Sequence, residues 1–196
     1  MFKGGLKPVI IIGVGIGLIV LFLLMPRQPW GKSAKSSTQP EMSASESRLQ
    51  QAIELVNGPN PMAGITMLRD MVAQDSNNVD AHYQLGVFAV KSGQLDRAIQ
   101  RFNKVITLEP NYLGAYIDLG GVYQSMNQMD VALEYYEKAA QLDSTSNYAL
   151  LFAGQTAEKV GKEEKAIDYY RQLLRHTEDT AVSVRVKEMI VRLENK

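Results

Sequence analysis

Apolar residues recur at helical spacing along most of the chain, in short blocks that each end in a polar turn. Between Val79 and Ser146, Leu85, Phe88 and Ala89 line one helical face, and Ala98, Ile99, Phe102 and Ile106 line the next. Upstream, Leu49, Ala52, Ile53 and Val56 form one face and Ile65, Leu68, Met71 and Val72 another, with a Gly- and Pro-rich turn at 57–61 between them. Downstream, Thr180 is placed to cap a last helix. Val182, Val186, Met189, Ile190 and Leu193 would share one side of it, and Arg185, Lys187, Glu188, Arg192 and Glu194 the other. The pattern predicts an all-α fold of paired helices. It breaks once, where Val9 to Met25 is apolar throughout apart from three glycines.

The blocks repeat with a period of 34 residues. Val79-Asp-Ala-His-Tyr-Gln-Leu-Gly aligns with Leu113-Gly-Ala-Tyr-Ile-Asp-Leu-Gly, which pairs His82 with Tyr116 and Leu85-Gly86 with Leu119-Gly120. Further on, Ala98 matches Ala132, Phe102 matches Tyr136, and Leu108-Glu109-Pro110 falls opposite Leu142-Asp143-Ser144. Gly93, Asn127 and Gly161 share the register of a tight turn, where these residue types tolerate the left-handed conformation. Gly86, Gly120 and Gly154 fall inside the first helix of each pair, where glycine costs about 1 kcal/mol against alanine. A cost repeated in one register points to close helix–helix contact, with Ala98, Ala132 and Ala166 expected on the opposing surface. Pro110 stops the second helix.

This register resembles the tetratricopeptide repeat (TPR), whose period and Leu-Gly…Ala…Phe…Pro pattern it carries. The resemblance implies a TPR superhelix of stacked helix–turn–helix pairs, because no pair buries its apolar face alone. Repeats are expected at 45–78, 79–112, 113–146 and 147–179, with a C-terminal capping helix at 180–194. The outer units depart from the pattern, with Gln51 and Ala153 where Leu is usual, Gly64 where Ala is, and no Pro after His176. Atypical terminal repeats are ordinary capping behaviour.

Charge divides the chain unevenly. Of 21 basic and 21 acidic side chains, only Lys3, Lys7, Arg27, Lys32 and Lys35 precede Glu41, so the rest carries 16 bases against 21 acids, a net −5. A mildly acidic body argues against a nucleic-acid partner, which needs a basic face. Residues 1–7 read as a short tail, 8–26 as one transmembrane helix, 27–44 as a flexible Ser-, Gln- and Pro-rich linker, and 45–196 as the repeat domain. The apolar run lacks the Ala-x-Ala-like cleavage site of a secretory signal, and without cysteine there is no lipidation site of the lipoprotein kind. An uncleaved anchor is what remains, and Trp30 follows it where an interface aromatic belongs. Basic residues flank both ends almost equally, so the positive-inside rule comes close to a tie. A short amino tail before the first span favours an extracytoplasmic, periplasmic-type body at an inner or plasma membrane, with the cytoplasmic face as the alternative. Gly13 and Gly17 have the small-xxx-small spacing of a dimerising membrane helix, and the same glycines are tolerated in any span.

Catalytic material is scarce. The chain has no cysteine and two histidines, nearly a hundred residues apart. His82 sits where the repeat pattern puts a large aromatic, which predicts packed filler. Asp80 with His82 does not make a metal site. Residues 13–17 and 31–33 look like fragments of nucleotide-binding loops and lack the rest of each motif. No enzyme, cofactor or metal is expected.

Function is therefore expected in the concave wall that the resemblance assigns to the first helix of each pair. Matched position by position, that wall offers Asp80, Tyr83, Gln84 and Val87, then Ile117, Asp118 and Gln124, then Tyr148, Leu151, Phe152 and Gln155. A subclass of the family holds a terminal carboxylate with Lys, Asn and Arg there, whereas here the matching places hold Tyr83, Val87, Asp118, Tyr148 and Phe152. The expected role is a membrane-anchored scaffold or adaptor that takes an apolar or amphipathic peptide segment, with aromatic anchors. One anchor followed by a repeat body is similar in architecture to accessory factors of bacterial secretion and of cytochrome c assembly. Two alternatives stand beside it: a self-assembling structural subunit, and a groove whose Leu151 and Phe152 are covered by the chain's own last helix.

Overall fold

Residues 43–195 are described by a computed structural model, and every regular element among them is an α-helix. The helices are α1 (Ala44–Asn57), α2 (Pro61–Gln74), α3 (Val79–Lys91), α4 (Leu95–Leu108), α5 (Leu113–Ser125), α6 (Met129–Leu142), α7 (Asn147–Lys159), α8 (Glu163–His176) and α9 (Thr180–Glu194). The apolar run at 8–26, the glycines at 13 and 17, and nearly all of the linker at 27–44 lie outside the described residues. Among the described residues, no helix is long and apolar enough to cross a membrane.

Local chemistry explains where helices start. Ser43 and Glu46 form a reciprocal capping box on α1, with bonds of 2.7 and 3.1 Å. Pro61 opens α2, where its missing N–H costs nothing. Asn78 caps α3 by accepting from the Ala81 amide at 2.9 Å, and Ser146 caps α7 through the Ala149 amide. At α9 the cap is Asp179, which accepts from the amides of Ala181 and Val182 at 2.8 and 3.2 Å. This corrects the expectation that Thr180 caps that helix: a carboxylate accepts two amides at once and suits the positive end of the helix dipole.

The turn inside each later pair has one geometry. Gly93, Asn127 and Gly161 adopt φ of 70°, 60° and 76°. The next amide reaches back five residues, from Gln94 to Ala89, Gln128 to Tyr123 and Lys162 to Ala157, at 2.8–2.9 Å. This is the Schellman closure, which satisfies carbonyls that the ending helix leaves free.

The glycines inside the first helices do mark close approach, but the expected surface is wrong. A Cβ at Gly86 would lie 2.6 Å from the Phe102 ring, and one at Gly120 or Gly154 would lie 2.5 Å from Tyr136 or Tyr170. The opposing surface is an aromatic ring brought against bare backbone, not the alanine four residues before it. Ala98, Ala132 and Ala166 are themselves fully buried.

Packing runs along the sequence. Each helix packs on its sequence neighbours, and α1 with α3 and α3 with α5 also touch. Apolar clusters follow one another down the stack, from one around Ile65 and Leu68, through one around Phe102 and Leu119, to one around Tyr170, Leu173 and Leu150. Val186, Ile190 and Leu193 of α9 close the last cluster, while Val184 and Val191 on its outer side are about half exposed. Ion pairs on the surface contribute little individually, the one between Arg192 of α9 and Glu158 of α7 being 2.6 Å long.

Candidate functional site

Aromatic rings and carboxylates meet along the first helices of the middle repeats. Tyr83 of α3 packs tilted against Tyr112 at 4.9 Å between ring centres, and against Phe102 of α4 at 5.7 Å. Its hydroxyl donates toward Asp118 on α5, so the two first helices are joined by a phenol and a carboxylate. Further along, Tyr136 of α6 donates to the Gln124 side chain at 3.3 Å and packs at 5.4 Å against Phe152 of α7. Phe152 in turn meets Tyr148 at 6.3 Å. The result is one strip running from Tyr112 through Tyr83, Asp118, Tyr136 and Phe152 to Tyr148.

Its electrostatics are those of a half-buried acidic site. Burial raises the Asp118 carboxyl above the ordinary carboxylate range, and the bond from Tyr83 offsets this in part by favouring the charged form. Burial, then the Asp118 charge, pushes Tyr136 up to about 12. The Tyr83 phenol is raised by the same two causes. Tyr112 is raised by burial first and then by the negative charges of Asp80, Glu109 and Asp118. These phenols stay protonated donors at neutral pH. No salt bridge neutralises Asp118 or Asp80 among the described residues.

The positions expected in the groove divide into three groups. Tyr83, Asp118, Gln124, Tyr148 and Phe152 belong to the strip, and Asp80 is exposed at its Tyr112 end. Val87 and Ile117 are half-buried and serve mainly as packing, Val87 in the cluster around Phe102 and Ile117 between the two C-terminal clusters. Leu151 is partly buried against the cluster that α9 completes. Phe152 instead packs with Ala132, Tyr136 and Ala153, on the side of the preceding repeat. Gln84 and Gln155 are half-buried and make no hydrogen bond among the described residues. Tyr148 is 70% exposed, an unusual position for a ring of that size.

Two members of the strip were absent from the sequence-based set. Tyr112 precedes α5 and Tyr136 lies on a second helix, and reading first helices alone passes over both. The signal was present in Tyr136, which shares the register of Phe102 and Tyr170. His82 behaves as packed filler with a structural bond: it is 6% exposed, and its Nε2 lies 3.1 Å from the Ser76 carbonyl. Tyr116 bonds the Pro110 carbonyl from the same register at 3.0 Å. Among the described residues no group of three or more His, Asp or Glu side chains is placed to hold a metal.

Comparison with known proteins agrees with this architecture. Tetratricopeptide-repeat family models match residues 79–112, 113–146 and 149–181, about half of the chain. The chain belongs to the tetratricopeptide-repeat family, a family of protein-interaction scaffolds. Among solved structures, a crystal structure of MamA is 28% identical, with a TM-score of 0.62 over 68% of this chain and 78% of that one. MamA from Desulfovibrio magneticus RS-1 (20% identity, TM-score 0.64, 76% and 85% covered) shares the fold. So does PilF of Pseudomonas aeruginosa (20% identity, TM-score 0.64, 77% and 73% covered). No curated protein matches the chain.

Proposed function

We propose that the domain is a scaffold that holds an amphipathic peptide segment of a partner protein along the Tyr112–Tyr148 strip, with a basic side chain of that segment directed at Asp118. The observation that carries this reading is Asp118 itself: a half-buried carboxylate, framed by Tyr83 and Tyr136, with no cation beside it among the described residues. A Lys or Arg entering there gains the carboxylate and the ring of Tyr83 together, above the buried Tyr136. Phe152 and the exposed Tyr148 supply apolar anchors further along, and the free amides of Gln84 and Gln155 suit an extended backbone.

The run from Val9 to Met25 and the polar stretch behind it support a tether that holds this scaffold at a membrane, on the extracytoplasmic side. A reporter active only outside the cytoplasm, fused after Lys196, tests that side, and activity of a cytoplasm-only reporter would reverse it. The groove is tested by placing a photocrosslinking amino acid at position 148 of the full chain in membranes. Adducts to other proteins are expected, and Asp118→Asn should weaken them several-fold. If only adducts between copies of this chain form, the scaffold reading gives way to a self-assembling structural subunit.

A further inference from the structure

A second place in the molecule is charged and unpartnered, and its charged residues stand on different helices from the strip. Between α2 and α4, over α3, lies a cavity of about 190 Å³. Its floor is apolar, made by Ile65, Leu85 and Phe88, and its rim carries Arg69, Arg97 and Arg101. Among the described residues, none of the three guanidiniums has a carboxylate within ion-pair distance, although the body of the chain is net acidic. Arg97 is held by the Gln94 side chain.

Arg101 is fixed more firmly. One of its N–H groups donates to His82 Nδ1 at 3.1 Å, while His82 Nε2 meets the Ser76 carbonyl at 3.1 Å. A guanidinium only donates, so Nδ1 accepts and the imidazole proton sits on Nε2. The guanidinium is thereby held at the cavity rim with four of its five donors left over. Burial and the neighbouring Arg69 charge lower its pKa, a mark of like charges brought together without a counterion.

We propose that this cavity binds an acidic segment of a partner polypeptide, one in which a carboxylate stands beside a bulky apolar residue. The rim supplies the planar forks that match a carboxylate two bonds at a time. The apolar floor chooses between oxyanions, since a bare phosphate has nothing to place against Ile65, Leu85 and Phe88, whereas a Leu or Phe next to a Glu does. The volume accommodates about one large side chain. The pocket thus prefers the opposite charge to that preferred by the Asp118 strip, and the domain has two faces able to distinguish two segments.

The test uses the full-length chain in neutral detergent and a fluorescein-labelled peptide of alternating Leu and Glu. The expected result is saturable binding that weakens as salt rises, is at least tenfold weaker in the Arg69→Gln/Arg97→Gln double variant, and is unaffected by Asp118→Asn. Both arginines are exposed, so unchanged thermal melting of the double variant verifies its fold. The His82 imidazole, one of two in the chain, reads out Arg101 independently and should shift in the NMR spectrum on titration. Equal binding of a control peptide of alternating Leu and Gln, undiminished binding by the double variant, or no binding would overturn the proposal. Displacement of the peptide by millimolar inorganic phosphate would also overturn it, by showing a site for any oxyanion.

Discussion

At the scale of single residues, the most informative positions are those where one register serves different ends. His82 and Tyr116 both tie the first helix to the loop before it, and His82 does so with an imidazole. Burial holds its pKa below the ordinary 6.5, and Arg101 and Lys104 act in the same direction, against the Ser76 carbonyl and Asp75. As pH falls, the unfolded chain therefore takes up this proton before the folded one does. The contribution of His82 to stability is complete above pH 6.5 and drains away as the pH drops through the folded value. Glu46 and Asp143, whose pKa values are lowered by hydrogen bonds, begin to matter only in the carboxylate range below that window. A urea midpoint that declines between pH 7.5 and 5.5 is expected, and His82→Tyr should flatten the decline. An unchanged slope in that variant would assign the effect elsewhere. The glycines show where sequence reading stops at this scale. Their register was legible as close contact, but whether a ring or an alanine fills the gap depends on which facing side chain points inward.

At the scale of helices, legibility was high because periodicity and turn chemistry agree. The apolar faces and the left-handed turn positions at 93, 127 and 161 are all explicit in the residues. The strip was only partly legible, since Tyr112 and Tyr136 come from a loop and a second helix and their rings converge only after packing. The last helix gives the clearest test. Val186, Ile190 and Leu193 are almost wholly buried against α7 and α8, and each contributes about 1.5–3 kcal/mol by leaving water. Ending the chain at Glu178 should therefore lower the melting temperature by roughly 10–20 °C. Differential scanning calorimetry measures it, and a loss of only a degree or two would mean that α9 is an appendage. The ion pair from Arg192 to Glu158 is not what holds it, since exposed pairs contribute about 1 kcal/mol at most.

At the scale of the repeat domain, the described helices touch their sequence neighbours and the matching helix of the next pair. Stability is then a sum of local terms and interfaces between adjacent units. Hydrogen exchange should grade along the stack, slowest in α4 to α7 and faster in α1 and α9, which among the described residues have a neighbour on one side only. Uniform protection from α1 to α9 would indicate a single all-or-none unit instead.

Such a ladder of contacts has a consequence for how the chain is made. No early helix waits for a distant late one: α1 and α2 find their partners within the next 34 residues, and each later pair docks on a surface already formed. As the polypeptide leaves the ribosome, it can complete its structure in the order of its synthesis. The unfinished edge is then one hairpin wide, and α9, the last of the described helices, covers it.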